Sequence, residues 1–211
     1  MKSPYQGISK DKWQAKTDEL IAQHPLTAEQ IIDSVLKSWK QIFDSQIGPL
    51  KIGIQIFPTP QLMSNILHEL IPYNLAKDVN SDYKVGTKKY EKDIVYIPNK
   101  AYSIEVKASS SKNDIYANRS YAQPAFDSDT KNKNGYYIGV NFEKFKKDEH
   151  NEFTKVEFDV SGVLIYPKII QIKFGYLEHT DWRPQSSAKG QQARLTKEAK
   201  KFKFKKLYPK N

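Results

Sequence analysis

The chain has 211 residues, a formal net charge of +10 and no cysteine. That length suffices for one domain with a real core, and the lack of cysteine excludes disulfide scaffolds and cysteine-ligated zinc while suiting a reducing, cytoplasmic setting. No stretch reaches the ~18 apolar residues that a membrane span needs, and the opening MKSPYQGISKDKWQAK holds no apolar run of the signal-peptide kind.

The first clear helix begins at Thr27. Thr27-Ala28-Glu29-Gln30 fits a capping box, and Ile31, Ile32, Val35, Leu36, Trp39, Ile42 and Phe43 recur at three- and four-residue intervals until Gly48-Pro49. Leu50, Ile52, Ile54 and Ile56 alternate, as in a short strand or extended connector. Thr59 and Pro60 open a second helix, whose apolar stripe runs from Leu62 to Ile71 and which Pro72 is expected to close. Glu69 falls on or beside its buried face. Two β-like runs follow, 93–97 and 102–106, and Pro98-Asn99-Lys100-Ala101 between them predicts a hairpin. Residues 109–135 are polar and broken by Pro124, which suggests a long loop with room for one helix. Further strands are expected at 136–140, 163–165 and 169–174, and a basic helix at 186–203. Residues 189–211 carry nine basic side chains and one acid, a net +8. Such a basic C-terminal element suits a polyanion, although Phe202, Phe204, Leu207 and Tyr208 among the lysines argue that part of it packs. The order of elements indicates a mixed α/β domain around one sheet, spanning 1–211 with the basic element inside it.

The chemistry concentrates at the predicted hairpin. Hydrolysing a phosphodiester calls for a metal that polarises the phosphate and acidifies water, and Mg²⁺ prefers carboxylate oxygens. A minimal site needs two converging carboxylates and a nearby cation. Asp93 opens one arm, and Glu105-Val106-Lys107 ends the other. Glu105 and Lys107 are two apart and so project from one face of a strand, off the apolar core that Ile104 and Val106 would enter. A turn near residue 99 returns Asp93 to Glu105. The pattern Asp-x11-Glu-x-Lys therefore builds a catalytic centre from local geometry, with Asp93 and Glu105 as Mg²⁺ ligands. Spacing alone is a weak signal, since a solvated strand face can carry the same residues. Ser109, Ser110, Ser111 and Lys112 come next, where they can donate to phosphates.

The segment EKDIVYIPNKAYSIEVKASSS (91–111) resembles the catalytic segment of type II restriction endonucleases. FPTPQLMSNILHELIP (57–72), NRSYAQ (118–123), FGYLEHTDW (174–182) and QSSAKGQQARL (185–195) resemble the ScaI restriction endonuclease family in particular. The resemblance covers roughly residues 50–195. It implies an α/β restriction-endonuclease-like fold of the PD-(D/E)XK type, a central mixed sheet flanked by helices. It also implies Mg²⁺-dependent cleavage of double-stranded DNA at a short defined sequence by a homodimer. Asp93 follows Lys92 where the motif's name has proline.

Other residues are candidates on chemistry. Glu69 could act as an outer member of the centre, or could be an ordinary helix-end carboxylate. In the loop, Asn118 and Gln123 suit adenine and Arg119 suits guanine, with Ser120 and Tyr121 beside them. Trp182, Arg183, Gln185, Gly190 and Gln191 could approach DNA as well. His68 and His179 are expected to be structural. Two other readings stay open: a repair or junction nuclease of the same fold, and a non-catalytic DNA-binding protein that uses the basic element. A dimer would match a palindromic site.

Overall fold

The computed structural model describes residues 3–124, 131–146, 159–185 and 191–210. Three helices lead the chain, α1 (Trp13–Ala22), α2 (Ala28–Asp44) and α3 (Pro60–Asp78). The capping box at Thr27 forms: its hydroxyl accepts from Gln30 N at 3.2 Å, and Gln30 Oε1 accepts from Thr27 N at 2.9 Å. Between α2 and α3 the alternating run makes only a two-stranded hairpin, β1 (Gln46–Ile47) with β2 (Leu50–Lys51). The chain then turns back at Gly53 (φ +85°), where the Tyr166 ring sits 2.7 Å from the place of any Cβ.

The second helix does not stop at Pro72 but continues one and a half turns to Asp78. Proline removes one helical hydrogen bond and costs ~3 kcal/mol in a helix interior. Burial beyond it offsets that cost. Leu75 is fully buried, and Asn74 donates to Ser38 Oγ and Gln41 Oε1 on α2, both at 2.8 Å.

The strands that follow are β3 (Tyr83–Val85), β4 (Ile94–Tyr96), β5 (Ile104–Ser109), β6 (Tyr116–Asn118), β7 (Gly135–Phe142), β8 (Ile169–Leu177), β9 (Trp182–Pro184), β10 (Gln192–Leu195) and β11 (Phe204–Tyr208). Six of them form the main sheet in the order β11-β8-β7-β5-β4-β3. β5 and β7 run parallel and the other neighbours antiparallel, so the sheet is mixed. The predicted hairpin is β4–β5, and a short 3₁₀ turn at Lys100–Tyr102 lies inside its connection. The region expected to be a loop supplies β6, which joins β10 and β9 in a small antiparallel sheet. Val163–Ile165 forms no strand.

Strand alternation gives the main sheet two cores. Ile104, Val106, Tyr136, Ile138, Val140 and Phe174 face the three helices. Tyr137, Leu177 and Phe204 face the small sheet, packing with Ile115, Ala117, Trp182, Ala193 and Leu195. The helices thus cover one face of the sheet, and the small sheet covers the other.

The basic helix expected at 186–203 does not form in the described residues; β10 and a five-residue turn of π-helix at Ala199–Lys203 take its place. The basic element is also not a free tail. β11 closes the sheet beside β8, with Phe204 and Leu207 buried. Lys203 lies 2.9 Å from Glu178 and 3.0 Å from Asp181, both buried. Lys200 pairs with Asp114, Lys205 with Asp18 at 2.7 Å and Lys210 with Glu29 at 3.2 Å. Four of the lysines that looked available to a polyanion thus pair with acids distant in the sequence.

Candidate active site

The hairpin carries Asp93 to the side of β5. Asp93 Oδ2 accepts a hydrogen bond from Val106 N at 2.7 Å, which fixes the carboxylate against the strand that bears Glu105 and Lys107. Glu105 and Lys107 stand on the sheet face opposite Val106, as period-2 alternation requires. They are not solvated, however: Glu105 is 1% exposed and Lys107 8%. Tyr121, from the 3₁₀ turn after β6, covers them, and its hydroxyl donates a short hydrogen bond to Glu105 Oε1. Lys107 Nζ lies 2.7 Å from the same oxygen, donates to Val106 O at 3.0 Å and sits over the Tyr121 ring.

Lys131 enters just before β7. Its Nζ is 3.1 Å from Asp93 Oδ1, 3.1 Å from Glu105 Oε2 and 3.4 Å from Glu105 Oε1. Lys92 lies underneath, its Nζ buried without a hydrogen-bond partner and 4.6 Å from the centre of the Tyr137 ring. Gly135 leaves it room, since a Cβ there would meet the Lys92 Cε at 3.4 Å.

These charges set the protonation states. Burial alone would raise Glu105, but Lys107, Lys92 and Lys131 outweigh it and hold the carboxyl well below the usual range. Burial pulls Lys92 down to about 8. Burial also opposes the charge on Lys131, yet Glu105 and Asp93 raise it overall, so it stays an ammonium. Burial and the neighbouring Glu105 push the Tyr121 hydroxyl far up, which keeps it a donor. His68 Nδ1 is 3.7 Å from Asp93 Oδ2, and burial followed by the Lys107 charge lowers its pKa.

The arrangement suits a divalent cation. Asp93 Oδ1 and Glu105 Oε2 converge on one nitrogen, so these two carboxylates are close enough together that they could hold a small hard cation. Among the described residues no group of three or more His, Cys, Asp or Glu gathers to hold a metal. An ion here would rest on two carboxylates and complete its shell with water and phosphate oxygens, as Mg²⁺ commonly does.

A cleft of about 660 Å³ opens beside the centre. Ser109, Ser110, Asn118, Tyr121 and Gln185 line it, together with His68, expected to be structural, and with Gln61, Ser64, Asn65 and Gln192, which sequence reasoning did not single out. Asn118 and Gln192 are direct cross-strand partners on β6 and β10, both exposed, so their amides project side by side. Lys112, Arg119, Ser120, Gln123 and Gln191 are exposed outside this lining. Arg183 lines a different depression, with Lys10 and Trp13.

Two expected site residues lie apart from the cleft. Trp182 is 3% exposed and packs edge-on against Tyr121 at 5.7 Å, so it belongs to the second core. Glu69 is exposed on α3; the helix turn presents His68 to the carboxylates instead. Tyr121 is drawn into the carboxylate centre instead of standing in an exposed loop. Gly190 lies outside the described residues.

No solved structure shows a significant match to this chain. Type II restriction enzyme ScaI of Streptomyces caespitosus is 41% identical over 194 residues, covering 92% of this chain and 79% of that protein. The sequence profile of the ScaI restriction endonuclease family matches residues 3–208, nearly the whole chain. With Asp93, Glu105 and Lys107 gathered beside a polar cleft and that match running over nearly the whole chain, the chain belongs to the ScaI restriction endonuclease family.

Proposed function

We propose that this restriction endonuclease hydrolyses both strands of duplex DNA at a short palindromic sequence, as a Mg²⁺-dependent homodimer of the PD-(D/E)XK type. The observation that carries the reading is the convergence of one oxygen each from Asp93 and Glu105 on a single point, with Lys107 held beside them. The mixed sheet supports the fold assignment: the antiparallel β4–β5 hairpin presents the three residues, and β5 continues into a parallel pair with β7.

A divalent ion bound there supplies Lewis-acid polarisation of the scissile phosphate and a more acidic water. Asp93 and Glu105 would hold it. Val106 N fixes Asp93, and Tyr121 with Lys107 fixes Glu105. Lys107 is anchored by its own backbone neighbour and places a positive charge where the attacking oxygen and the phosphate must meet. Ser109 and Ser110 continue from β5 along the cleft and suit phosphate contacts. Base reading falls to the small sheet and its turn. Asn118 and Gln185 line the cleft, and Arg119, Ser120, Gln123 and Gln191 are exposed on the same segments as these two or next to them in the chain. Asn and Gln amides match adenine, and Arg matches guanine. Two copies related by a two-fold axis would cut both strands of a palindrome.

Digestion of a sequenced plasmid in Mg²⁺, with the ends mapped, tests this. Discrete fragments whose ends share one palindromic sequence are expected, and EDTA should abolish them. A smear without common ends would mean a nuclease that reads shape, and binding without nicking would mean a non-catalytic protein.

A further inference from the structure

The centre already carries more positive than negative fixed charge. Asp93 and Glu105 face Lys107 and Lys131 directly, with the buried Lys92 beneath and Lys133 across the Tyr121 ring at 4.4 Å. A divalent cation entering such surroundings gains little until negative charge arrives with it. The geometry sharpens the point. One oxygen of each carboxylate is committed to the protein: Asp93 Oδ2 to Val106 N, Glu105 Oε1 to Lys107 and Tyr121. The other oxygen of each, the one available to an ion, is held by Lys131 at 3.1 Å.

We propose that Lys131 is an internal counter-ion that occupies the metal position of the free enzyme, so that divalent-ion binding and DNA binding are strongly and positively coupled. The ion must displace the ammonium from both carboxylates, and a DNA phosphate then receives it. Lysine suits this exchange, because its charge is compact and its four-carbon stem lets the ammonium move while the backbone stays in place. The Lys131 side chain is 19% exposed, so an ammonium expelled without a new anion would lose its partners in a poorly solvated place. Coupling of this kind is reciprocal: DNA tightens the ion as much as the ion tightens DNA. The enzyme would then assemble its metal centre on DNA and leave it largely unassembled elsewhere. The inference rests on the metal assignment proposed above.

The test is calorimetric titration of Ca²⁺ at fixed ionic strength, without DNA and then with a saturating duplex that carries the mapped site. Wild type, Lys131→Met, Lys131→Gln, Lys133→Met and Glu105→Gln are compared after thermal melts confirm folding. Either Lys131 variant should bind Ca²⁺ at least about tenfold tighter than wild type without DNA, and the tightening that DNA confers should shrink by a similar factor. Lys133→Met, which removes a charge that holds neither carboxylate, should change free Ca²⁺ affinity by no more than about threefold. Unchanged or weaker Ca²⁺ binding by the free Lys131 variants overturns the proposal, as does equal tightening in Lys133→Met. Failure of the metal assignment looks different: Glu105→Gln would then leave Ca²⁺ binding as in wild type.

Discussion

His24 should make the fold sensitive to mild acid. It sits between α1 and α2, buried against Tyr136, Phe174 and Tyr102 with ring centres 4.5, 5.0 and 5.5 Å away. Both ring nitrogens are in use. Leu26 N donates to Nδ1 at 3.0 Å, which leaves Nε2 as the donor to Tyr102 O, also at 3.0 Å. A second proton would have to go on Nδ1, against the Leu26 N–H. Burial therefore lowers the pKa from 6.5 to about 4. The folded pKa lies below the unfolded one, so between these values the unfolded chain binds more protons. The stability contributed by neutral His24 is complete above pH 6.5 and is lost as pH falls through 4. That gap corresponds to about 3 kcal/mol at ~1.4 kcal/mol per pH unit, a large share of the ~5–15 kcal/mol of an ordinary domain. Urea denaturation followed by tryptophan fluorescence at pH 7.5 and pH 4.5 would measure it in wild type and His24→Gln. Other groups titrate alike in both proteins and cancel in the comparison. The variant should be less stable at pH 7.5 but lose about 2–3 kcal/mol less on acidification. Equal losses in the two proteins would refute the reasoning.

Glu105→Gln and Lys107→Ala should each cut at least about a thousandfold more slowly, ~4 kcal/mol of barrier, with circular dichroism unchanged; cleavage within tenfold of wild type would remove either residue from the centre. Ca²⁺ in place of Mg²⁺ should support site-specific binding in a gel-shift assay but little cutting, because it accepts looser coordination. Lys203→Met should cost about 3–5 kcal/mol in denaturant titrations, since it strands two buried carboxylates, Glu178 and Asp181. Leu207→Ala should cost about 2–5 kcal/mol, whereas alanine at the exposed Lys206 should stay within about 0.5 kcal/mol. Removal of residues 204–211 should accordingly unfold the protein, and a folded truncation that merely binds DNA less well would restore the tail interpretation.

What the sequence revealed was what neighbours in the chain decide. The β4–β5 hairpin, the capping box at Thr27 and the juxtaposition of Asp93 with Glu105 depend on residues within about a dozen positions of one another. Their periodicity and turn signals are written locally. Lys131 and Tyr121 reach the same point from separate segments; Tyr121 was visible only as a member of a polar loop, and nothing in the surroundings of Lys131 marks it. A search for lysines near an acidic hairpin would have flagged Lys92, but not Lys131. His68 was visible as a polar residue on an apolar helix stripe, yet only the facing strand gives it Asp93 as a neighbour. The C-terminal charge was misleading because counting lysines along the chain ignores acids such as Asp18, Asp114 and Glu178, which the fold brings to them. Trp182 looked like a surface aromatic in a polar stretch; the second core that encloses it exists only once β6 and β10 pair.

The bond from Val106 N to Asp93 Oδ2 makes a side chain serve as a rung of the sheet. Only Ile94 and Ile104 are in register between β4 and β5, so the carboxylate stands where the next main-chain acceptor would otherwise be. Selection at position 93 therefore acts on two properties at once. Asparagine preserves an acceptor for the strand while forfeiting the anion, and alanine forfeits both. Glutamate keeps the anion but lengthens the arm, which pushes the second oxygen off the shared point or breaks the rung. Aspartate alone satisfies both demands, and in a descendant that no longer needs to cut the rung by itself would still hold the position to aspartate or asparagine.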